Sequence, residues 1–337
     1  MIDGHGDDGY KYARIRANFS SNVYGGMDHT AFYAWLGRRM GCVRSYPEPE
    51  PYSLERELAA RYDVDPACVC VTNGATEGIY LVAQAFRESG SAILIPTFSE
   101  YADACRMHAH RVHYLFSLDY LPSESRLVWL CNPNNPTGEV RDLQRLRELV
   151  GRHPERLFVI DQSYEAFTDK ELFEVKEAAA YPNVLLLHSL TKRFAIPGLR
   201  LGFVTGNGPL IDQLRACRMP WSVNALAIEA GRYLLRHAHY YPLCLADLLE
   251  ERARVSASLE RIGGVEVWPS DTHFLLARLR TGKAAALKEF LADEKGLLIR
   301  DASNMEGLDD AFFRLAVQQP EEDDDLISSI KEWIYMV

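Results

Sequence analysis

The run Ser189-Leu190-Thr191-Lys192-Arg193-Phe194-Ala195-Ile196-Pro197-Gly198-Leu199-Arg200 follows the wholly apolar Val184-Leu185-Leu186-Leu187. The apolar segment reads as a strand buried on both faces. At its end come a hydroxyl, a lysine, and a Pro-Gly turn that delivers an arginine. A lysine placed where a buried strand ends can be partly desolvated, which lowers its pKa, and the neutral amine can then attack a carbonyl. An ordinary solvated loop lysine is the commoner outcome, so the rest of the chain has to show whether a site is built around Lys192.

Upstream, strands and helices alternate. The spacing predicts strands at Cys68–Val71, Ala92–Ile95, Val112–Phe116, Leu127–Leu130 and Leu157–Ile160, and a further strand at Leu201–Thr205. Helices are predicted between them, including one opening at Ala75 and one over Asp142–Val150. Buried strands joined by helices imply a mostly parallel sheet, in which ligands bind beyond the C-terminal strand ends. Asn135, Asp161, Tyr164 and Lys192 all follow such ends. The turn Thr72-Asn73-Gly74 leads into a helix whose free N–H groups and positive dipole end suit a phosphate.

The 337 residues, 47% of them apolar, suffice for a large core with a second lobe. A net charge of −10 speaks against a general nucleic-acid or membrane-surface role. Seven cysteines (Cys42, Cys68, Cys70, Cys105, Cys131, Cys217, Cys244) show no metal spacing and are expected to be reduced and buried. No metal site is expected, since Arg236-His237-Ala238-His239 lacks a third ligand. The polar N-terminus and the lack of a membrane-length apolar run point to a cytoplasmic protein. No GxxxxGK[ST] occurs, and Gly206-Asn207-Gly208 has Ile211 where a dinucleotide fingerprint needs glycine.

Residues 1–43 read as an irregular, turn-rich arm, with Phe19 and Tyr24 giving it something to bury. After the proline-spaced connector at Arg44–Pro51, Ser53 is expected to cap a helix. Residues 44–235 form the large domain and 236–337 a smaller α/β domain. In the latter, strands are expected at Val265–Trp268, Thr272–Arg278, Leu297–Arg300 and Phe312–Val317, with helices at Ala246–Ile262, Ala284–Glu294 and Glu321–Met336. Arg300 and Arg314 fall at strand positions, where an arginine usually has an anionic partner.

Three motifs in this order, Asn132-Pro133-Asn134-Asn135-Pro136-Thr137-Gly138, Asp161 with Tyr164, and Ser189 through Lys192 to Arg200, carry a resemblance. Over essentially its whole length the chain resembles the class I/II aminotransferase family of fold-type-I pyridoxal-phosphate enzymes. The resemblance implies an α/β fold with a three-layer large domain. It also implies pyridoxal 5′-phosphate as cofactor, with Lys192 as the Schiff-base lysine. Asp161 would pair with the pyridinium nitrogen, and Asn135 and Tyr164 with the ring's phenolic oxygen. Ser189, Arg200, Ala75 and Thr76 would hold the cofactor phosphate, and Phe98 would stack on the ring. Tyr46 would reach the phosphate of a neighbouring subunit, which implies a homodimer with shared sites.

For the substrate, the resemblance implies Arg314 for the α-carboxylate and Arg300 for a phosphate, with His5 and Tyr24 added from the arm. Two subgroups compete, both acting on phosphorylated substrates. Arg44-Ser45-Tyr46-Pro47, the Asn132–Gly138 run and Arg300 suit histidinol-phosphate aminotransferase. His5-Gly6, Pro96–Tyr101, Pro220–Ala227 and Arg300–Asn304 look more like the threonine-phosphate decarboxylase of cobalamin biosynthesis, which is the favoured expectation. A non-catalytic cofactor-binding sensor is the third reading; Lys192, Asp161 and Arg314 together favour an enzyme.

Overall fold

Strand residues in the middle of the chain send alternate side chains to opposite faces, and both faces are apolar. Leu127 and Trp129 pack with Ile79, Val82 and Cys105, whereas Val128 and Leu130 pack with Leu143, Leu146 and Val150. A sheet buried on both faces between helices is the result. The computed structural model describes residues 7–336.

The central sheet has seven strands. Their spatial order is Val69–Thr72, Gly202–Gly206, Val184–Ser189, Leu157–Asp161, Ser125–Cys131, Gly90–Leu94 and Arg111–Leu115. All neighbours are parallel except Gly202–Gly206, which runs antiparallel to both strands beside it. The fold is therefore α/β with a mostly parallel sheet, as the sequence implied. A second sheet of four strands, ordered Arg300–Asp301, Phe312–Ala316, Phe274–Leu279 and Val265–Val267, is antiparallel throughout. Among the described residues no helix is long and apolar enough to cross a membrane.

Four expectations are corrected. The stretch before Gly41 is not irregular throughout, because Thr30–Arg39 is a helix. Its Phe32, Trp35 and Leu36 stand at helical spacing and pack with Leu54, Leu58, Phe194 and Ala227. Ser53 does not cap the next helix, which starts at Tyr52 after Pro51; the Ser53 N–H instead donates to the Glu48 carboxylate at 2.9 Å. The expected strand Leu297–Arg300 is divided. Leu297–Leu298 pairs in parallel with Ala17–Asn18 of the arm, while Arg300–Asp301 pairs with Arg314 and Phe313. The cysteines are free, but Cys244 is exposed and only Cys70, Cys105 and Cys131 are buried.

Candidate active site

Lys192 lies on a single helical turn, Leu190–Arg193, that begins as the strand Val184–Ser189 ends. Ala195 and Arg200 take left-handed backbone (φ 51° and 57°), so the chain reverses at once into Gly202–Gly206. Register pairing of Ser189 with Gly202 then sets Ser189, Lys192 and Arg200 around one point. Two glycines permit this packing. A Cβ at Gly202 would sit 2.5 Å from the Ala75 amide nitrogen, and one at Gly74 (φ +81°) would sit 2.5 Å from Arg200 Nη2. Both distances are closer than a carbon can come. The N-terminus of the helix Gly74–Ala85 thus abuts Arg200, with Ala75 and Thr76 in its first turn.

These groups line a cavity of about 530 Å³. The structure brings together Ala75, Thr76, Phe98, Asn135, Asp161, Tyr164, Ser189, Lys192, Arg200, Arg300 and Arg314 around it. Three expected residues are not placed there. Tyr46 is 84% exposed, its ring 5.3 Å from that of Trp221 and outside this chain's own cavity. Tyr24 is half-buried, its hydroxyl accepting from Gln319 Nε2 at 2.8 Å, and it is absent from the lining. His5 lies outside the described residues.

Burial, reinforced by the positive charges of Arg314 and Arg200, pushes the Lys192 ammonium down to about 7. Its Nζ donates to the Ser21 carbonyl at 2.5 Å and stands 5.9 Å from the centre of the Tyr164 ring. Asp161, 4% exposed, ends the strand Leu157–Asp161. Burial raises its pKa. Two donors oppose that rise, the Ser163 N–H on Oδ1 at 2.8 Å and the Tyr101 O–H on Oδ2 at 2.7 Å. Burial also raises the pKa of the Tyr164 hydroxyl, against the Arg314 charge. Ser189 Oγ and Thr191 Oγ1 are 2.7 Å apart.

The two arginines come from directly paired positions of adjacent antiparallel strands. Arg314 is 4% and Arg300 5% exposed. Arg314 Nη1 donates to Asn135 Oδ1 at 2.5 Å, its Nη2 donates to the Ser20 carbonyl, and its buried Nε has no partner among the described residues. Burial pushes its guanidinium down to about 10. Arg300 Nη2 donates to Asn304 Oδ1 at 2.7 Å, and burial lowers its pKa too.

Sequence reasoning missed Tyr101, Ser20, Ser21, Asp7 and Glu100, which also line the cavity. Tyr101 follows Phe98 by three positions, a spacing that could have placed both on one side of a helical turn. Ser20 and Ser21 contribute backbone carbonyls, which carry no sequence signal.

The lining fits pyridoxal 5′-phosphate. A desolvated lysine stands ready for an aldehyde, and a buried carboxylate can meet a ring nitrogen. A helix N-terminus joins Arg200 and two hydroxyls for a phosphate. The partnerless Nε of Arg314 keeps donor capacity for an anion.

Comparison with known proteins agrees with this geometry. The family model for aminotransferase class I and II matches residues 15–330. The chain is 28% identical over 313 residues to the histidinol-phosphate aminotransferase of Methanocaldococcus jannaschii, covering 87% of this chain and 82% of that one. It is also 28% identical over 307 residues to the threonine-phosphate decarboxylase of Salmonella typhimurium, with 87% and 84% covered. The crystal structure of L-threonine-O-3-phosphate decarboxylase from Porphyromonas gingivalis superposes with a TM-score of 0.91 at 38% identity, over 95% of this chain and 99% of that one. The chain belongs to the aminotransferase class I and II family and is an enzyme that uses pyridoxal 5′-phosphate.

Proposed function

We propose that the protein decarboxylates a phosphorylated amino acid, O-phospho-L-threonine in the first place. The observation that carries this reading is the pair Arg300 and Arg314. Two buried guanidinium groups at directly paired strand positions, about 5 Å apart at Cα, suit a substrate with two acids on neighbouring carbons. O-phospho-L-threonine has a carboxylate on Cα and a phosphate on Cβ. Histidinol phosphate offers one acid and an imidazole, so in an aminotransferase Arg314 would meet a carboxylate only while glutamate or 2-oxoglutarate is bound, whereas O-phospho-L-threonine engages both arginines at once. The similarity to the P. gingivalis decarboxylase supports the same choice. Similarity to histidinol-phosphate aminotransferases supports the second reading, amino transfer to 2-oxoglutarate.

When bound, the cofactor supplies an aldehyde for an amine and a ring that withdraws electrons from Cα. Ala75, Thr76, Ser189 and Arg200 would hold its phosphate, Phe98 would cover its ring, and Asp161 would meet its nitrogen. Asn135 and Tyr164 would address its phenolic oxygen. Lys192, half neutral near pH 7, would supply the amine for the aldehyde. Arg314 takes the substrate carboxylate and Arg300 the phosphate, each able to form a planar two-point contact. Fixing both ends orients the bond between Cα and the carboxylate. Loss of CO2 from that bond would leave its electron pair at Cα, and the ammonium form of Lys192 Nζ would supply the proton that takes the carboxylate's place.

In this reading residues 1–43 form the arm, 44–235 the large domain and 236–337 the small one. The enzyme acts as a cytoplasmic homodimer in cobalamin biosynthesis, Tyr46 reaching the partner's cofactor phosphate. His5 adds a phosphate contact from the arm. The test is incubation with O-phospho-L-threonine and no keto acid: CO2 release is expected, and its absence sinks the reading.

A further inference from the structure

Tyr101 is one of the largest fully buried side chains in the molecule, yet its polar end points at the site. It stands in the first turn of the helix Glu100–Met107, with its hydroxyl on Asp161 Oδ2 at 2.7 Å. Packing fixes its ring from two sides. The Trp129 ring stacks on it at 5.8 Å and 25°, and the Trp129 indole N–H donates to Ser91 Oγ at 3.2 Å. The Phe98 ring meets its edge at 5.9 Å and 86°. One phenol therefore touches both the carboxylate and the aromatic ring that flank the cofactor's place.

A buried carboxylate with few donors takes up a proton, because burial penalises its charge. Each hydrogen bond donated to the charged form opposes that uptake. A carboxylate offers about four lone-pair sites, so one donor on each oxygen leaves room for a third. Burial also raises the pKa of the Tyr101 phenol, which keeps its proton available to donate.

We propose that Tyr101 is a positioning residue for the cofactor: its hydroxyl fixes the orientation of Asp161 and holds it as an anion, so that the shared proton stays on the ring nitrogen. Phe98 is steadied by the same side chain. The inference rests on pyridoxal phosphate being the cofactor and is independent of which substrate bond breaks.

The experiment uses the holoenzyme loaded with pyridoxal phosphate labelled with 15N in the ring. In Tyr101→Phe the nitrogen signal should move from the protonated towards the neutral position. Cofactor dissociation should become about ten- to a hundredfold easier, the usual scale for a buried hydrogen bond to a charged group. Tyr80→Phe is the control. It removes a phenol bonded to Glu100 at 2.8 Å, without touching Asp161, and should leave the ring nitrogen signal in place. In an Asp161→Asn background, Tyr101→Phe should add no further loss of cofactor. An unmoved nitrogen signal in Tyr101→Phe overturns the proposal, as does an equal additional loss in the Asp161→Asn background. A wild-type protein that gains no visible absorbance with the cofactor would count against the cofactor assignment, separately from Tyr101.

Discussion

Lys192 combines burial with two neighbouring arginines, and the sign of its response to pH follows from that. With its pKa lowered to about 7, the amine is mostly protonated below that pH and mostly neutral above it. Covalent capture of pyridoxal phosphate should therefore slow about tenfold per unit of pH below 7 and level off above it. Stopped-flow absorbance at saturating cofactor would measure this, and a pH-independent rate would contradict the desolvated site. The same shift acts on stability. Between about pH 7 and the usual lysine value of 10.5 the folded state binds fewer protons than the unfolded one, so the penalty is full below 7 and fades as pH rises. Lys192→Met should then stabilise the cofactor-free protein by about 1–3 kcal/mol at pH 7, with no visible band on adding cofactor. A melting temperature below wild type would refute it. On the substrate side, Arg300→Ala should lower kcat/KM about a hundredfold for a phosphorylated amino acid. Equal loss on the unphosphorylated analogue would remove the phosphate role.

At the scale of elements, close approach between the Lys192 hairpin and the helix Gly74–Ala85 shapes the proposed phosphate cup. Gly202→Ala has no free space for its methyl and should cost about 1–3 kcal/mol while weakening cofactor binding. A differential scanning experiment with and without cofactor separates the two effects; unchanged melting and affinity would show that the contact relaxes. The buried strands of the central sheet were legible from their apolar runs, because a strand covered on both faces leaves few other readings. So was the gathering of Asn135, Asp161, Tyr164 and Lys192, since polar groups at the ends of such strands stand out against apolar neighbours. Tyr101 was not, because its apolar ring reads as core and only the fold shows where its hydroxyl ends. The helix Thr30–Arg39 was hidden by the glycine- and asparagine-rich stretch before it. Phe32 nevertheless gives it an anchor, fully buried beside Leu54 and Phe194. Phe32→Ala should cost about 3–5 kcal/mol, and denaturant titration would read it. A cost under 1 kcal/mol would mean the helix docks without that anchor.

For the whole molecule, the site is assembled from parts distant in sequence. The arm pairs with Leu297–Leu298, lends two carbonyls to Lys192 and Arg314, and is pinned by Asp8, buried against Lys288 Nζ at 2.6 Å. The exposed Tyr46 and Trp221 pair marks the face where a second copy would complete the cofactor phosphate site in the proposed dimer.

The central claim, two adjacent acids read by two paired arginines, is tested most directly by product analysis of the purified holoenzyme. O-phospho-L-threonine alone should yield CO2 and the corresponding phosphorylated amino alcohol, without any keto acid. Absence of CO2, together with glutamate production from histidinol phosphate donating its amine to 2-oxoglutarate, would contradict the account.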